Sequence, residues 1–271
     1  MNGTGSAIEV RNLSKSFKHV PVLDDVSFTV ERGAVFALLG ANGSGKTTII
    51  NILTTLAKAD GGAATVAGCD VATQAAEVRE QISVTGQFAA VDDVLTAREN
   101  LVLIGQLRHV PDPRRTATDL LDAFDLTDAA DRRLITFSGG MRRRLDIAMS
   151  LIGDSPIVFF DEPTTGLDPK SRTDMWATIR QLVARGTTVF LTTQYLEEAD
   201  QLADQIAILH GGRIVARGTP DELKAELPTG FAGPAPTLDD VFFKILDDHQ
   251  QDHNEDDTGG ATCERSLTPG R

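Results

Sequence analysis

The sequence predicts an α/β fold with a largely parallel sheet, and three observations support this class. Apolar, strand-like runs alternate with helical patterns along the chain, as in proteins whose helices connect parallel strands. Two strand-like runs at the start look like an antiparallel pair. A mostly helical stretch from Thr96 to Gly153 then interrupts the alternation. We therefore expect an antiparallel β subdomain, a parallel sheet core and an inserted helical subdomain.

The first elements follow one another directly from the N-terminus. The opening pair consists of AIEVRNLSKSF and VLDDVSFTV, and the fully buried strand AVFALLG comes next, with a helix beginning near Gly45. The interrupting stretch contains three helical segments, TARENLVLIGQLRH, RRTATDLLDAFDL and RRRLDIAMSLIG. The third segment has one apolar face at helical spacing, formed by Leu145, Ala148, Met149 and Ile152.

Strand, helix and strand resume after the helical stretch. PIVFFDE is the first strand and TTVFLTT the second. The helix between them has an apolar face formed by Met175, Ile179, Leu182 and Val183. The chain is therefore predicted to contain a main domain at 1–228, with its helical subdomain at about 88–153. A linker and a short amphipathic helix (LDDVFFKIL) follow at 229–248. The tail at 249–271 is acidic, and its charge predicts that it is disordered.

Length and composition indicate a globular protein. The 271 residues, 41% of them hydrophobic, can bury a sizeable core. Apolar runs such as Ala34 to Leu39 are far shorter than the about 18 residues that a membrane span needs. Because the first residues also lack a signal pattern, a cytoplasmic location is expected. Cys69 and Cys263 lack metal-ligand spacing, which argues against a disulfide framework or a zinc site.

The net charge of -13 argues against a protein that binds nucleic acid by neutralising phosphates. Nearly half of the excess lies in residues 229–271, where nine acids face three bases. A local basic patch could still exist within this acidic total. No nucleic-acid partner is expected.

The sequence GANGSGKT, from Gly40 to Thr47, fits the pattern G-x-x-x-x-G-K-[ST] between a buried strand and a helix. Its glycines let backbone N–H groups turn onto β- and γ-phosphates, and the helix N-terminus favours the same negative charge. Lys46 adds a compact cation, and the Thr47 hydroxyl can bind Mg²⁺. A glycine turn with a chance lysine is the alternative, and on this motif alone many P-loop hydrolases and kinases remain possible. The expected phosphate-binding residues are Gly40, Ala41, Asn42, Gly43, Ser44, Gly45, Lys46, Thr47 and Thr48.

Two adjacent carboxylates end the buried strand IVFFDE, from Ile157 to Glu162. Acids at the exposed C-terminal end of a strand mark a site more often than a solvated turn. We expect Asp161 to hold Mg²⁺ through water and Glu162 to polarise the attacking water as general base. As structural alternatives, either acid could cap the next helix or pair with an arginine.

The sequence FSGGMRRR, from Phe137 to Arg144, places Ser-Gly-Gly directly before a helix. Alone, this could be an N-cap serine with a flexible turn. Together with the two preceding motifs, from about Ile8 to Leu227, the chain resembles the ATP-binding subunit of ATP-binding-cassette (ABC) transporters. The family signature is usually Leu-Ser-Gly-Gly-Gln. Here Phe137 replaces the leucine and Met141 the glutamine, but the Ser-Gly-Gly core is intact.

The resemblance implies ATP and Mg²⁺ as ligands and a head-to-tail homodimer of these domains. Each ATP would lie between the phosphate loop of one copy and Ser138, Gly139 and Gly140 of the other. Gln87, in SVTGQF, would be the loop glutamine that touches Mg²⁺ and water and moves with a membrane partner; an exposed strand-end amide is the alternative. Asp168, in TTGLDP, matches the aspartate loop that crosses the dimer interface, although it could equally cap the following helix.

Two further groups are expected near the nucleotide. An aromatic ahead of the phosphate loop usually stacks on adenine in this family, and the resemblance assigns this place to Phe17, with His19 as a weaker candidate and a core aromatic as the alternative. Stacking accepts any base, so the preference for ATP over GTP follows from the family alone. Arg142, Arg143 and Arg144 could attract nucleotide across the dimer, but we expect at least two of them to lie on a solvated helix face.

Four segments resemble one branch of the family, the ATP-binding subunits of the daunorubicin-resistance type of drug exporter: LTARENL, SGGMRRRLDIAMSL, TTQYLEEADQLAD and PTLDDVFFKI. Ala41, Ser44 and Ala97 depart from the usual residues without removing a donor that the chemistry needs. The domain at 1–228 is then an ABC ATP-binding domain. The branch implies export of a drug, an antibiotic or another hydrophobic compound through a separate membrane-spanning subunit, with this chain bound peripherally at the cytoplasmic face. Lipid or polysaccharide export is the alternative, and a non-transport ABC ATPase or a stand-alone nucleotide kinase is less favoured.

Gln194 lies where the strand TTVFLTT runs into the next helix, 32 residues after Glu162. Most ABC ATPases carry a histidine there that contacts the γ-phosphate, so the resemblance makes Gln194 the switch residue. An amide can donate to phosphate and accept from water, but it has no titratable proton near pH 7. We therefore expect Gln194 to sense the γ-phosphate by hydrogen bonding alone, with proton transfer left to Glu162. The alternative is an amide that only caps the helix at Tyr195.

Overall fold

The structure is a computed structural model that describes residues 5–85, 92–153, 155–225, 227 and 236–245. The chain divides into two compact units, Met1–Pro220 and Asp221–Arg271. The described strands are β1 (Ser6–Phe17), β2 (Val20–Glu31), β3 (Val35–Leu39), β4 (Gly61–Val66), β5 (Cys69–Asp70), β6 (Ile82–Thr85), β7 (Ile157–Asp161), β8 (Thr188–Thr193), β9 (Gln205–His210) and β10 (Arg213–Gly218). The described helices are α1 (Lys46–Leu53), α2 (Ala75–Gln81), α3 (Ala97–Leu107), α4 (Pro113–Ala123), α5 (Gly139–Ser150), α6 (Pro169–Ala184), α7 (Leu196–Leu202), α8 (Pro220–Ala225) and α9 (238–245).

Antiparallel pairing builds the first sheet, whose four strands lie in the order β2-β1-β4-β5. Ile8 of β1 lies opposite Val30 of β2 on one side and opposite Val66 of β4 on the other. All three side chains are buried, because residues directly opposite one another in a sheet share a face. The predicted antiparallel subdomain is confirmed, and β4 and β5 extend it beyond the opening pair.

The second sheet has six strands in the order β10-β9-β3-β8-β7-β6. Its strands run parallel from β9 to β6, and β10 joins β9 in antiparallel pairing at one edge. Every residue of β3, β7 and β8 is buried, as expected for strands covered on both faces. The parallel arrangement brings the C-terminal residues of these strands, Leu39, Asp161 and Thr193, to one edge. Ligand sites of open α/β sheets form at this edge.

Four phenylalanine rings connect the first sheet to the second. Phe28 of β2 stacks on Phe36 of β3 with 5.1 Å between ring centroids, and Phe36 stacks on Phe190 of β8 at 5.4 Å. Phe159 of β7 continues the contact to Phe190, also at 5.4 Å. Because such pairs contribute about 0.5–1.5 kcal/mol each beyond the area they bury, the stack holds the first sheet against the strands that carry the site.

The described chain between β6 and β7 contains α3, α4 and α5 and two short 3-10 helices, at Thr127–Ala129 and Leu134–Thr136, as the predicted helical insertion requires. A capping box starts α3, in which Thr96 and Glu99 each accept the other's backbone N–H. The predicted apolar faces of α5 and α6 are confirmed. Their buried residues are Leu145, Ala148 and Met149 on α5, Ile152 just beyond its end, and Met175, Ile179 and Leu182 on α6, with Val183 partly buried.

The second unit contributes most of α8 and all of α9. Leu223 of α8 is buried, as are Leu238 and Val241 of α9, whereas Phe243 is exposed. α9 lies within the segment predicted to form a short amphipathic helix. Across the residues that the structure describes, no helix has both the length and the apolar character needed to cross a membrane.

Candidate functional site

The loop from Gly40 to Gly45 connects β3 to α1 at the C-terminal edge of the second sheet. Gly40 N–H donates to Thr193 O at 3.2 Å, which ties the start of the loop to the end of β8. A Cβ at Gly40 would lie 2.5 Å from Leu209 O, and one at Gly45 would lie 2.7 Å from the Leu23 side chain. The packing therefore requires glycine at both positions, in agreement with the predicted phosphate loop.

Lys46 begins α1 and is buried beneath the loop. Its Nζ donates to Gly40 O at 2.8 Å and to Ala41 O at 3.0 Å. The same ammonium lies 3.3 Å from Glu162 Oε1, and the two side chains are only 4% and 8% exposed. Because a buried charge is costly without a partner, this ion pair joins the loop to the end of β7.

Asp161, the last residue of β7, has both carboxylate oxygens held by hydroxyl groups. Thr47 Oγ1 donates to Asp161 Oδ2 at 3.0 Å, and Thr192 Oγ1 donates to Asp161 Oδ1 at 2.6 Å. The carboxylate is buried, so these bonds replace water that it would otherwise bind. The two residues that the sequence predicts for Mg²⁺, Thr47 and Asp161, are thereby brought into direct contact.

Glu162 follows β7 with a φ of 50°, in the left-handed region that residues other than glycine rarely adopt. Its N–H donates to Thr192 O at 3.2 Å and Thr192 Oγ1 at 3.1 Å, and Thr165 Oγ1 donates to Glu162 Oε2 at 3.2 Å. The carboxylate is directed at Lys46. Both structural alternatives fail for Glu162, since Asp168 caps the next helix and the partner of Glu162 is a lysine.

A cavity of about 450 Å³ opens beside the loop. Phe17, at the end of β1, lines it with half of its surface exposed, and Lys15 Nζ lies 5.3 Å from its ring centroid. A core role for Phe17 is thus wrong. His19 is exposed and is not among the described residues that line the cavity. The lining consists of Phe17, Val22, Asn42, Gly43, Gly45, Lys46, Thr47, Thr48 and Glu162.

The Ser-Gly-Gly turn forms the N-terminus of α5. Ser138 is the N-cap, and its Oγ accepts from Met141 N–H at 3.3 Å. Ser138 and Gly139 are exposed, and a Cβ on Gly139 would meet no atom within 4 Å. The N-cap alternative is therefore correct as a local description, and it leaves the turn accessible at the surface.

Asp168 is the N-cap of α6, as the alternative for this residue proposed. Its carboxylate accepts from Ser171 N–H at 3.0 Å and from Ser171 Oγ at 2.7 Å, and these hydrogen bonds lower the pKa of Asp168. A Cβ on Gly140 would lie 2.5 Å from Ser171 Oγ, so the Ser-Gly-Gly turn packs against this cap. Neither Asp168 nor the turn is among the described residues that line the cavity.

More than half of the chain, residues 23–165, matches the protein-family model described as ABC transporter. The chain belongs to the ABC transporter family. Curated relatives include the daunorubicin resistance ATP-binding protein DrrA2 of Streptomyces coeruleorubidus, which is 54% identical over 81% of this chain and 69% of its own length. The daunorubicin/doxorubicin resistance ATP-binding protein DrrA of Streptomyces peucetius is 52% identical over 82% of this chain and 68% of its own length. The Nod factor export ATP-binding protein I of Sinorhizobium fredii is 42% identical over 80% of this chain and 64% of its own length.

Solved structures of ABC proteins share the fold. An ATP-binding subunit of an ABC transporter matches with a TM-score of 0.78 and 29% identity, over 89% of this chain and 100% of its own. An ABC transporter cassette in its ADP conformation matches with a TM-score of 0.73 and 27% identity, over 81% and 93%. The predicted fold class and the resemblance to daunorubicin-resistance subunits are confirmed, and the chain is an ATP-binding and ATP-hydrolysing subunit of the ABC type.

The three arginines of this ABC subunit's α5 correct a sequence prediction. We expect at least two on a solvated helix face, but Arg143 is buried, and the side chains of Arg142 and Arg144 are only 29% and 21% exposed and also donate to protein acceptors. Arg142 donates to Leu134 O at 2.8 Å and Arg144 to Phe124 O at 3.2 Å. The side chain of Arg143 is 10% exposed. The carbonyl groups that accept from these arginines lie outside α5, which the pattern of charges along the helix does not indicate.

Arg143 reaches from α5 to the end of β7. Its Nε donates to Pro163 O at 3.0 Å, and its Nη2 makes a longer contact of 3.5 Å with Asp161 O. Nη1 donates to Asp146 Oδ2 at 3.2 Å on the same helix. Burial lowers the pKa of Arg143, against the opposite influence of the nearby acids. Sequence reasoning missed this role, and its one visible signal was the i, i+3 spacing of arginine and aspartate.

Gln194 lies between β8 and α7, as predicted, and is partly buried. α7 begins after Tyr195 without a side-chain cap, and Tyr195 N–H donates instead to Thr193 Oγ1 at 2.9 Å. Because no described side chain caps α7, the structure does not support a helix-capping role for Gln194. The other predicted amide of the ABC site, Gln87, lies outside the described residues.

Glu198 of α7 is a second residue that sequence reasoning missed. Its side chain is fully buried, and Trp176 Nε1 of α6 donates to its Oε1 at 3.3 Å. Burial raises the pKa of Glu198, against the influence of the Thr193 and Thr164 hydroxyls and of the Trp176 N–H. The available signal was its spacing of four residues from the buried Leu202, which places both on the inner face of the helix.

Proposed function

We propose that this chain powers the export of a drug or antibiotic through a separate membrane-spanning subunit. Relatives at 54% and 52% identity are named for daunorubicin or doxorubicin resistance, and this supports the cargo class. We also propose the domain division at 1–228, 229–248 and 249–271 and a position at the cytoplasmic face of the membrane, where a peripheral ATP-binding subunit meets its permease.

One observation carries the ATPase chemistry. The Lys46 and Glu162 side chains form a buried ion pair beside the phosphate loop, and both line one cavity. A phosphate group in this cavity competes with Glu162 for the ammonium, because Lys46 is the compact cation of the loop. When Lys46 turns to the phosphate oxygens, the Glu162 carboxylate is released to accept a proton from the attacking water.

The loop itself suits a triphosphate. The glycines leave backbone N–H groups free of side-chain cover, and α1 begins directly after Gly45. Ser44 Oγ is buried without a hydrogen-bond partner in the part of the chain described here, a condition that a phosphate oxygen would relieve. The full set proposed for the phosphates is Gly40, Ala41, Asn42, Gly43, Ser44, Gly45, Lys46, Thr47 and Thr48.

The residues beside the loop fit Mg²⁺. Thr47 and Asp161 offer oxygen donors 3.0 Å apart, and Mg²⁺ prefers oxygen ligands of this kind. The described residues contain no group of three or more His, Cys, Asp or Glu side chains that could hold a metal, which suits an ion bound by one carboxylate together with substrate phosphates. When bound, Mg²⁺ neutralises charge on the β- and γ-phosphates. Gln87 is proposed as a further contact.

Two side chains are proposed to recognise other parts of the nucleotide. The exposed ring of Phe17 provides a surface on which adenine stacks. Gln194 senses the γ-phosphate through hydrogen bonds of its amide. Since the amide does not titrate, Gln194 orients phosphate and water while Glu162 handles the proton.

The second half of each site is proposed to come from another copy of the chain, in a head-to-tail homodimer. Ser138, Gly139 and Gly140 would place a hydroxyl, backbone N–H groups and the N-terminus of α5 against the γ-phosphate, with Asp168 beside them at the interface. The turn is exposed and is not among the described residues that line the cavity, and both observations support this arrangement.

Transport by vesicles that contain this chain and its co-purified membrane subunit tests the proposal. We expect ATP-dependent accumulation of daunorubicin, and none when the subunit carries Glu162→Gln. A 42% identical relative is named for Nod factor export, which keeps lipid or polysaccharide export as the second candidate. Accumulation of a Nod factor in place of daunorubicin would favour that candidate. Vesicles that hydrolyse ATP but move neither compound would contradict both cargo classes.

A further inference from the structure

The peptide groups around Glu162 are held from two sides. On one side, Thr192 accepts the Glu162 N–H through both its carbonyl and its hydroxyl. On the other side, a single guanidinium, that of Arg143, contacts the carbonyls of the residues directly before and after Glu162. The backbone of residues 161–163 is therefore fixed by two partners that come from different elements, β8 and α5.

This fixation matters because Glu162 adopts a left-handed φ of 50°. A non-glycine residue in this region carries backbone strain, and such strain persists only where the surroundings determine the conformation. Loss of one partner would allow the segment to relax towards ordinary backbone angles. The carboxylate of Glu162 would then turn away from Lys46 and from the phosphate loop.

Arg143 is suited to this task by its shape and by its charge balance. The planar guanidinium presents several N–H donors in fixed directions, so one side chain can reach Pro163 O and Asp161 O together. Asp146 accepts from Nη1 at 3.2 Å and is itself buried, which balances the charge within α5. Nε and Nη2 reach the backbone carbonyls, and the Asp161 carboxylate stays bonded to Thr47 and Thr192.

We propose that Arg143 is a positioning residue for hydrolysis, which holds the Glu162 backbone in its productive conformation. The inference rests on the proposed role of Glu162 as general base. It also connects two sites, because Arg143 belongs to the helix that begins after Ser138. In the proposed dimer, the N-terminus of α5 contacts the ATP bound to the other copy. Arg143 of the same helix holds the Glu162 backbone within its own copy.

Arg143→Lys tests the proposal with the charge next to Asp146 preserved. A lysine cannot hold both carbonyls, so we expect kcat to fall by about tenfold or more while KM and ATP binding stay unchanged. Arg144→Lys is the matched control, because Arg144 contacts Phe124 O and Asp125 and, among the described residues, has no hydrogen bond to residues 161–163. Wild-type kcat in Arg143→Lys, or an equal loss in Arg144→Lys, would overturn the proposal.

A double-mutant cycle separates positioning from general destabilisation. If Arg143 acts through the Glu162 carboxylate, Arg143→Lys should not lower the residual single-turnover rate of Glu162→Gln any further. A further fall by the same factor as in the wild-type background would overturn the proposal. Should Arg143→Lys fail to fold, Arg143→Gln combined with Asp146→Asn removes both buried charges and enters the same cycle. Wild-type hydrolysis by Glu162→Gln would instead refute the proposed function of Glu162. The single Glu162→Gln variant tests that function without any change at Arg143.

Discussion

The phosphate loop with the adjoining end of β7 and the Ser-Gly-Gly turn belong to one ABC domain. They differ in how many of their polar groups have hydrogen-bond or ion-pair partners within the chain. At the first, Lys46 and Glu162 form a buried ion pair, and Asp161 is held by two hydroxyls. At the second, Ser138 is exposed, with one hydrogen bond to its own helix. The groups proposed to react are therefore arranged in advance inside the fold, whereas the turn is accessible at the surface.

Removal of the charge at Glu162 should have the largest effect on this arrangement. Glu162→Gln keeps the side-chain size but cannot accept a proton, so turnover should fall by about 100-fold or more, since loss of a general base costs about 100- to 10,000-fold. ATP binding should persist and nucleotide-bound dimers should accumulate. Steady-state ATPase rates, nucleotide binding and size-exclusion chromatography measure these outcomes; wild-type turnover would end the assignment.

Mixing two inactive variants tests whether the outward turn serves another copy. Ser138→Arg destroys the turn and Lys46→Ala the phosphate loop, so each variant alone should be inactive. In mixed dimers the loop of one variant meets the intact turn of the other, and roughly a quarter of the wild-type ATPase activity should return at equal ratios, since half of the dimers are mixed and each has one intact site.

A second mixture is needed if a dimer hydrolyses ATP only when both of its sites are intact, because the first mixture would then stay inactive. Ser138→Arg mixed equally with wild-type chain should then lower activity well below half. If the mixture of the two inactive variants stays inactive and the wild-type mixture keeps half of its activity, each chain holds a self-contained site and the turn does not serve another copy.

Substitution of Gln194 should have an intermediate effect. Gln194→Ala loses the hydrogen bonds to phosphate and water, and hydrolysis should fall by about tenfold or more. Gln194→His should retain much of the activity but acquire a pH dependence near the histidine pKa of about 6.5, where the wild type is flat. ATPase rates across this range check the expectation. Equal rates in all three proteins would reduce Gln194 to a structural amide.

Glu198 should give the smallest effect, and on stability rather than turnover. Burial raises its pKa above the ordinary 4.5, so the folded chain holds this proton more tightly than the unfolded chain and loses stability as pH rises past that value. Glu198→Gln cannot ionise, and its melting temperature should exceed that of the wild type by about 2–4 °C near pH 8 and by less near pH 5. A gain that grows towards acid would contradict the direction of the pKa shift.

The strands and loops that could be predicted from sequence are those whose own residues carry the signal. β3, β7 and β8 are buried along their whole length, so uninterrupted apolar runs identify them. The phosphate loop is similarly readable because Gly40 and Gly45 each occupy a place where a Cβ would collide with its surroundings. The edge strands β5 and β10 were missed, since the first has two residues and the second has exposed arginines at 213 and 217.

The features that escaped sequence reasoning depend on partners far along the chain. Arg143 looks like one of three equivalent arginines until the fold brings Pro163 O beside it. Phe17 is assigned to the nucleotide by the family resemblance alone, because its residue type does not distinguish it from a core phenylalanine until the end of β1 is seen to line the cavity. Residue type reports what a side chain can do, but only the path of the backbone decides which acceptor it meets.

The left-handed backbone at Glu162 sets stability and activity against each other at a single position. Glycine would adopt this φ without strain, but Glu162→Gly would also leave the buried Lys46 ammonium without its carboxylate and remove the proposed proton acceptor. Stabilisation of this subunit by mutation should therefore be selected together with activity, because Glu162 is maintained against its own conformational preference.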